Sequence, residues 1–428
     1  MTSDSESVPN SVAPEGGSGD IGGDSGPLAG LRIVEVSGYV AAPLCGMTLA
    51  QLGAEVIRVE PIGGAPDRAR LPHSETGTSL YWTGLNKGKR SIEVDLSTAA
   101  GRALVVDLVA ECGVLLTNSE RHLRFDELRA RRPDVIHAVL TGRRDGGPAV
   151  DYTVNAATGF PTVTGPEDGR APVNHLLPAW DVAAGLYLTV GLLAAERRRR
   201  LTAQAQQVRI ALEDVALATA GNLGYLAEAQ LSSTPRDKSG NYVYGTFGRD
   251  FTTADGRRVM VVALTTAQWR ELVRVTGIHE ALTALAGSLG ADFDAEEDRY
   301  RHRRVLAALL DEWFEARTHD EVTTVLGNTR VLWSTYRSFR DLAADEARIL
   351  RESPVMAPLD QPGVGPHLAP GSPLVINGRQ APPQAAPAVG EHTEETLCAQ
   401  LRMSESDLRQ LTDKAVVGNQ RRSEPTPR

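Results

Sequence analysis

The chain has 428 residues, 41% of them hydrophobic and 23% charged, enough for two or three domains around a sizeable core. A formal net charge of −9 argues against a nucleic-acid partner. Three scattered cysteines, Cys45, Cys112 and Cys398, carry neither metal-ligand spacing nor a disulfide framework, which points to a reducing, cytoplasmic setting and to no metal.

Residues 1–26 are polar, acidic and rich in Gly and Ser, so they are expected to be disordered; they lack the basic and apolar regions of a secretory signal. LRIVEVS, from Leu31, reads as a strand. APLCGMTLAQLGA follows with helical spacing, Leu44, Met47, Leu49 and Leu52 falling near one face, and VIRVEP is a second strand. This order implies parallel strands joined by a crossover helix. SIEVDL, AAGRALVVDLVAEC, GVLLTN, FDELRARRP and DVIHAVLTG repeat the rhythm, so residues 28–142 predict a Rossmann-like, doubly wound α/β sheet. SGYVAAP stands after the first strand where a dinucleotide-binding loop would show GxGxxG. A ligand is still expected at the carboxyl ends of the strands, and it need not be a nicotinamide cofactor.

PAWDVAAGLYLTVGLLAAERRRR, from Pro178, reads as a long, mostly buried helix with its basic residues at the C-terminal end. Its apolar stretch LYLTVGLLAA is too short to span a bilayer, so no membrane partner is expected. Asp181 at its head is a candidate N-cap and suits the positive end of the helix dipole. VRIALEDVALATAGNLGYLAEAQL continues as a strand into a helix. GNYVYGTFGRDFTTADGRRVMVVAL predicts an antiparallel hairpin around ADG, followed by amphipathic helices in TAQWRELVRVTG and RYRHRRVLAALLDEWFEART. Residues 226–345 therefore form a smaller α+β domain. Residues 353–390, dense in Pro and Gly, are expected to be extended. GEHTEETLCAQL reads as a helix capped by Thr393 or the residues before it, and 416–428 as a frayed tail.

LAGLRIVEVS, APLCGMTLAQLGAEVIRVEPIGG, LNKGKRSIEVDL and WDVAAGLYLTVGLLAA occur in the order seen in family III CoA-transferases of the CaiB/BaiF type, and the chain resembles that family from residue 28 to about 400. TGRRDGG, VDYTVN, VNHLLPAWD, GNYVYGTFGRDF, QPGVG with PGSPL, and GEHTEE are similar to the branch that moves CoA from one carboxyl group of mesaconate to the other. The resemblance implies a discontinuous large α/β domain, residues 27–225 and 346–415, and a homodimer of two interlocked subunits. It implies an enzyme whose substrate is an acyl-CoA thioester, with CoA arriving as part of the substrate and no separate cofactor.

By motif, the family's nucleophilic aspartate falls on Asp181. A carboxylate is a weak nucleophile but a thioester is a good acyl donor, so covalent catalysis through an aspartyl anhydride and an aspartyl-CoA thioester splits one hard exchange into easier steps. Lys87, Lys89 and Arg90 in LNKGKRS form a basic cluster that suits the CoA phosphates, or else a solvated turn. Arg58 and Arg124 are weaker candidates. Val40 stands where the family carries Gln, so a pantetheine contact there would use backbone. Arg143 and Arg144 in GRRDGG suit a second substrate carboxylate, or a salt bridge to Asp145. Tyr152 and Asn155 could line the pocket, Trp180 could dry it, and His175 reads as a structural hydrogen-bonder.

Three alternatives are open. Related α-methylacyl-CoA racemases use the His of a G-H-D motif, but Val150 precedes Asp151 here. Intermolecular transfer to a free acid such as succinate is a second, and a non-catalytic CoA-binding protein a third. One departure is local: the family's T-G-x-G-Q turn appears as LTAQAQQ, where alanine would be strained if the turn needs positive φ.

Overall fold

The computed structural model describes residues 26–418. The expected N-terminal tail, apart from Gly26, and the end of the expected C-terminal tail lie outside them. Six strands form one parallel sheet: β1 (Arg32–Val36), β2 (Glu55–Glu60), β3 (Arg90–Glu93), β4 (Val114–Thr117), β5 (Ile136–Thr141) and β6 (Gln206–Ala211), in the order β3-β2-β1-β4-β5-β6. Successive side chains point to opposite faces. Ile33, Val56 and Leu116 enter one core, and Val34, Ile57 and Leu115 the other. Both faces are covered, which is why these strands read as near-continuous apolar runs.

The helices are α1 (Ala41–Gln51), α2 (Leu80–Leu85), α3 (Ala99–Cys112), α4 (Phe125–Arg131), α5 (Asp151–Ala157), α6 (Phe160–Val163), α7 (Ala179–Thr202) and α8 (Leu212–Asn222). α3 shows how sequence sets such boundaries. The Thr98 hydroxyl accepts the Gly101 N–H at its start, and Gly113 ends it at φ 82°.

α7 is the helix that positions the site. Its 24 residues are long and apolar enough to cross a membrane by length and composition, but its buried side joins the sheet core through Ala184, Leu188 and Leu192. It runs antiparallel to the strands. At its C-terminal end Arg199 Nη1 donates to the Gly113 carbonyl, 2.7 Å away, just before β4 begins. At its N-terminal end Gly185 meets α1 so closely that a Cβ would lie 2.6 Å from the Ala41 carbonyl oxygen. Only glycine permits that approach, and it sets the second turn of α7 against the first turn of α1, toward the carboxyl edge of the sheet.

A separate antiparallel sheet, β7 (Phe247–Thr252), β8 (Arg258–Ala263) and β9 (Leu332–Thr335), has its own core with Trp269, Leu310 and Phe314 from the helices that pack on it. β7 and β8 are the expected hairpin. The Pro/Gly-rich segment is extended as expected, and part of it is also paired. β10 (Met356–Gln361) and β11 (Gly365–Pro370) pair as a hairpin, with Gly363 at φ 74° making the turn. Helix Thr393–Leu401 then packs on α3 and β3, Leu397 fully buried. Thr393 is not its cap: its hydroxyl accepts the Glu93 N–H and donates to the Gly390 carbonyl, so it ties the helix to β3. Val416 and Val417, expected in a frayed tail, are buried instead, because the Asp95 N–H donates to the Val416 carbonyl and Val94 pairs with Val417.

Candidate active site

The strand order reverses between β1 and β4, and such a switch point opens a crevice at the carboxyl ends of the strands. Here the loops after β1, β2, β3 and β4 enclose a cleft of about 410 Å³. Tyr39, in the first of these loops, adopts left-handed φ 70°, and its N–H donates to Asp67 Oδ2 at 3.0 Å. The α1 N-terminus follows at once, with backbone N–H groups that have no acceptor within the helix.

A buried ion network sits beneath that loop. Arg58 donates to Glu35 (3.1 Å), Asn86 (3.1 Å) and both oxygens of Asp67 (2.9 and 3.2 Å), and Lys89 bonds Glu35 at 2.9 Å. The Arg58, Glu35 and Lys89 side chains are wholly inaccessible. Charges this deep persist only when paired and hydrogen-bonded. Through Asp67, the network fixes Tyr39.

Asp181 lies in the first turn of α7 but does not cap it. The carboxylate of Asp151, the first residue of α5, does so instead: Oδ2 accepts the Trp180 N–H at 2.7 Å and the Asp181 N–H at 3.1 Å, and Oδ1 faces His175 Nε2 at 2.6 Å. The Asp181 carboxylate is half-buried and makes no hydrogen bond among the described residues. Burial pushes its pKa up to about 6, the Asp151 charge adds to the rise, and Arg70 opposes it. Such a carboxylate is ionised near neutrality yet poorly solvated and unspent, which suits nucleophilic work.

The surrounding side chains are aromatic. Trp180 Nε1 donates to Asn155 Oδ1 at 3.1 Å, and its ring lies 5.0 Å from that of Phe160. Tyr152 meets His175 edge-on at 6.1 Å. The Tyr81 hydroxyl, pushed up to about 12 by burial, lies in the electrostatic field of Arg70, Asp181 and Tyr152. Arg70 stacks near both Tyr39 and Tyr81.

The structure therefore gathers Asp181, Tyr152, Asn155, Trp180 and His175, and sets Val40 at the head of α1 with its side chain buried. It separates the basic cluster. Lys89 is spent on Glu35, Asn86 and the Pro43 carbonyl. Lys87 is buried against the Gly84 carbonyl, its pKa lowered to about 8 by desolvation. Arg90 pairs with Glu395 at 2.7 Å. Together with Arg58 these side chains form no open patch for phosphates, because the sequence displayed their charge but not the acids and carbonyls that absorb it. Arg144 pairs with Asp214, while Arg143 and Arg124 are exposed and have no ion pair among the described residues. The charges that act on Asp181 are Asp151 and Arg70, and neither Arg143 nor Arg144 is among them. Asp151, Arg70, Tyr39 and Tyr81 were absent from the sequence-derived set. The one local signal was Asp151 opening a helix three residues after Pro148.

Comparison with known proteins identifies the family. Residues 28–393 match the family model of CoA-transferase family III. Over 400 residues the chain is 49% identical to 2-methylfumaryl-CoA isomerase of Chloroflexus aurantiacus, spanning 92% of this chain and 98% of that one. It is 28% identical over 416 residues to succinyl-CoA–D-citramalate CoA-transferase of the same organism, spanning 91% and 98%. A CaiB/BaiF family protein from Brucella suis superposes with a TM-score of 0.72 at 27% identity, over 88% of this chain and all of that one. The chain belongs to CoA-transferase family III and is an enzyme of CoA transfer.

Proposed function

We propose that the enzyme moves CoA between the two carboxyl groups of one mesaconate, converting 2-methylfumaryl-CoA to 3-methylfumaryl-CoA. The observation that carries this reading is the half-buried Asp181 carboxylate, unspent by any hydrogen bond and aimed from a helix that Asp151 caps. The identity of 49% with 2-methylfumaryl-CoA isomerase supports the choice of acyl group.

An Asp181 oxygen attacks the thioester carbonyl, the C–S bond breaks, and a mixed anhydride and CoA thiolate form. The thiolate attacks the Asp181 carbonyl, giving an aspartyl-CoA thioester and releasing the mesaconate carboxylate. The other carboxylate attacks that thioester, restoring an anhydride and the thiolate. The thiolate then attacks the mesaconyl carbonyl and frees Asp181. No net proton is taken up, and no group outside the substrate and Asp181 changes its bonds. Each attack builds negative charge on a carbonyl oxygen, and the free N–H groups at the start of α1 suit that charge. CoA lies along the cleft at the carboxyl edge, between the loops after β1 to β4.

The enzyme works as a cytoplasmic homodimer of interlocked subunits. The exposed, apolar Leu186, Tyr187 and Val190 on α7 support a second copy there. The test of function is direct. Purified protein receives 2-methylfumaryl-CoA alone, the isomers are separated, and the protein is weighed during turnover. Isomerisation with a CoA-sized adduct on Asp181 is expected; Asp181→Ala should show neither. An Ala variant with near-normal turnover would overturn the reading.

A further inference from the structure

The reaction above leaves one neighbouring cation without a role. Arg70 follows the turn Pro66–Ala69, and its backbone is pinned on both sides. Its N–H donates to the Asp67 carbonyl at 3.2 Å, and its carbonyl accepts the Ser79 hydroxyl at 2.5 Å. Ser79 also caps α2, the helix that carries Tyr81. The guanidinium carbon lies 5.6 Å from the Tyr39 ring centre and 4.9 Å from that of Tyr81. Arg58 and Arg68, on either side in the same region, are neutralised by Asp67, Glu35 and Glu60. Arg70 has no carboxylate within ion-pair distance among the described residues, and its side chain is exposed. A guanidinium set against rings uses its face, and its N–H edge stays available for a planar, two-oxygen partner.

We propose that Arg70 is the specificity-determining cation of the site: its N–H edge holds the free carboxylate of a dicarboxylic acyl group and retains the diacid while CoA resides on Asp181. This rests on the covalent reading of Asp181. The diacid then exchanges ends on one cation. The distal carboxylate is bound first, and the newly released one takes its place when the distal one attacks. The buried Arg58–Asp67 pair serves the same end, because Asp67 anchors both the Tyr39 N–H and the turn that leads to Arg70.

The experiment mixes unlabelled 2-methylfumaryl-CoA with excess ¹³C-mesaconate and compares wild type with Arg70→Gln and Arg70→Lys. The wild type should put little label into the CoA product. Arg70→Gln should raise the labelled fraction at least tenfold and raise KM for the dicarboxylic substrate. It should leave KM for a monocarboxylic acyl-CoA donor, such as propionyl-CoA, unchanged. Arg70→Lys, which keeps charge but loses the fork, should fall between the two; it carries the same comparison should the Gln variant not fold. Unchanged labelling in either folded variant, with the aspartyl-CoA adduct forming normally, overturns the role of Arg70 and leaves Asp181 standing. Absence of the adduct in the wild type overturns both.

Discussion

Asp151 Oδ2 accepts the backbone N–H of Asp181 at 3.1 Å, so the residue that caps the nucleophile's helix is a second carboxylate thirty positions upstream. The arrangement couples two effects. It satisfies orphan N–H groups of α7, and it places a negative charge near Asp181 that adds to the effect of burial in raising its pKa to about 6. Only the ionised form attacks, so kcat/KM should fall about tenfold per pH unit below pH 6. Asp151→Asn keeps an acceptor for the N–H groups and removes the charge. Its acid limb should move to lower pH but stay above the ordinary Asp value, because burial is the larger cause. A limb unmoved in the folded Asn variant would show that Asp151 acts on geometry alone.

The same shift makes a stability prediction. An acid whose folded pKa is raised destabilises the fold when it ionises, so stability is lost as pH rises from about 4 through 6 and the loss stays in place above that. Asp181→Asn removes the ionisation. The variant should be more stable than wild type at pH 8, by at most about 3 kcal/mol, and nearly equal to it at pH 4. Thermal melts at both pH values check this. A variant less stable than wild type at pH 8 would mean the carboxylate is better solvated than its surroundings imply. An inactive but more stable protein is the usual pattern when a functional group is held in an unfavourable place.

The parts of this protein legible in its sequence are those set by local period and turn chemistry. The alternation of apolar strands with helical spacing gave the parallel sheet, and ADG between two β-rich runs gave the β7–β8 hairpin. The pairing at 356–370 escaped because Pro358, Pro366 and Pro370 made its strands read as unpaired extended chain, although proline is tolerated in a two-stranded pair with free edges. In the site, Asp181 was legible only through its motif; its charge alone read equally well as a cap. Asp151 is the true cap, but it reaches α7 across a tertiary contact with no fixed sequence distance. Arg70 and Lys89 make the same point in opposite directions. Both are cations in turn-rich segments with other basic residues close by, yet Lys89 is closed off by Glu35 while Arg70 stands open between two tyrosines. Charge can be counted from a sequence, but its neutralisation depends on which strands lie side by side.

The buried Arg58 network should be the most sensitive point of the large sheet. Arg58→Met fills similar space but strands Asp67 without its cation and leaves Glu35 to Lys89 alone, and breaking such a buried pair costs about 3–5 kcal/mol. Denaturant unfolding at neutral pH measures the loss. The deficit should shrink as pH falls and the orphaned carboxylate protonates. A cost below about 1 kcal/mol would show that the acids find other partners.

Ala203 offers a gain by a different route. It ends α7 at φ 52° and ψ 29°, the left-handed conformation that glycine adopts freely and that costs an L-residue about 1–2 kcal/mol. The Ala203 N–H closes the last turn on the Arg199 carbonyl at 2.7 Å, so the strain is held by the helix end. Glycine at this position relieves it but enlarges the freedom of the unfolded chain, which returns about 0.4–1 kcal/mol. The balance favours Ala203→Gly by about 1 kcal/mol, seen as a higher denaturant midpoint at unchanged slope. Turnover should not change, because Ala203 lies at the end of α7 opposite Asp181. A midpoint that falls would mean the unfolded chain, and not the turn, decides the sign.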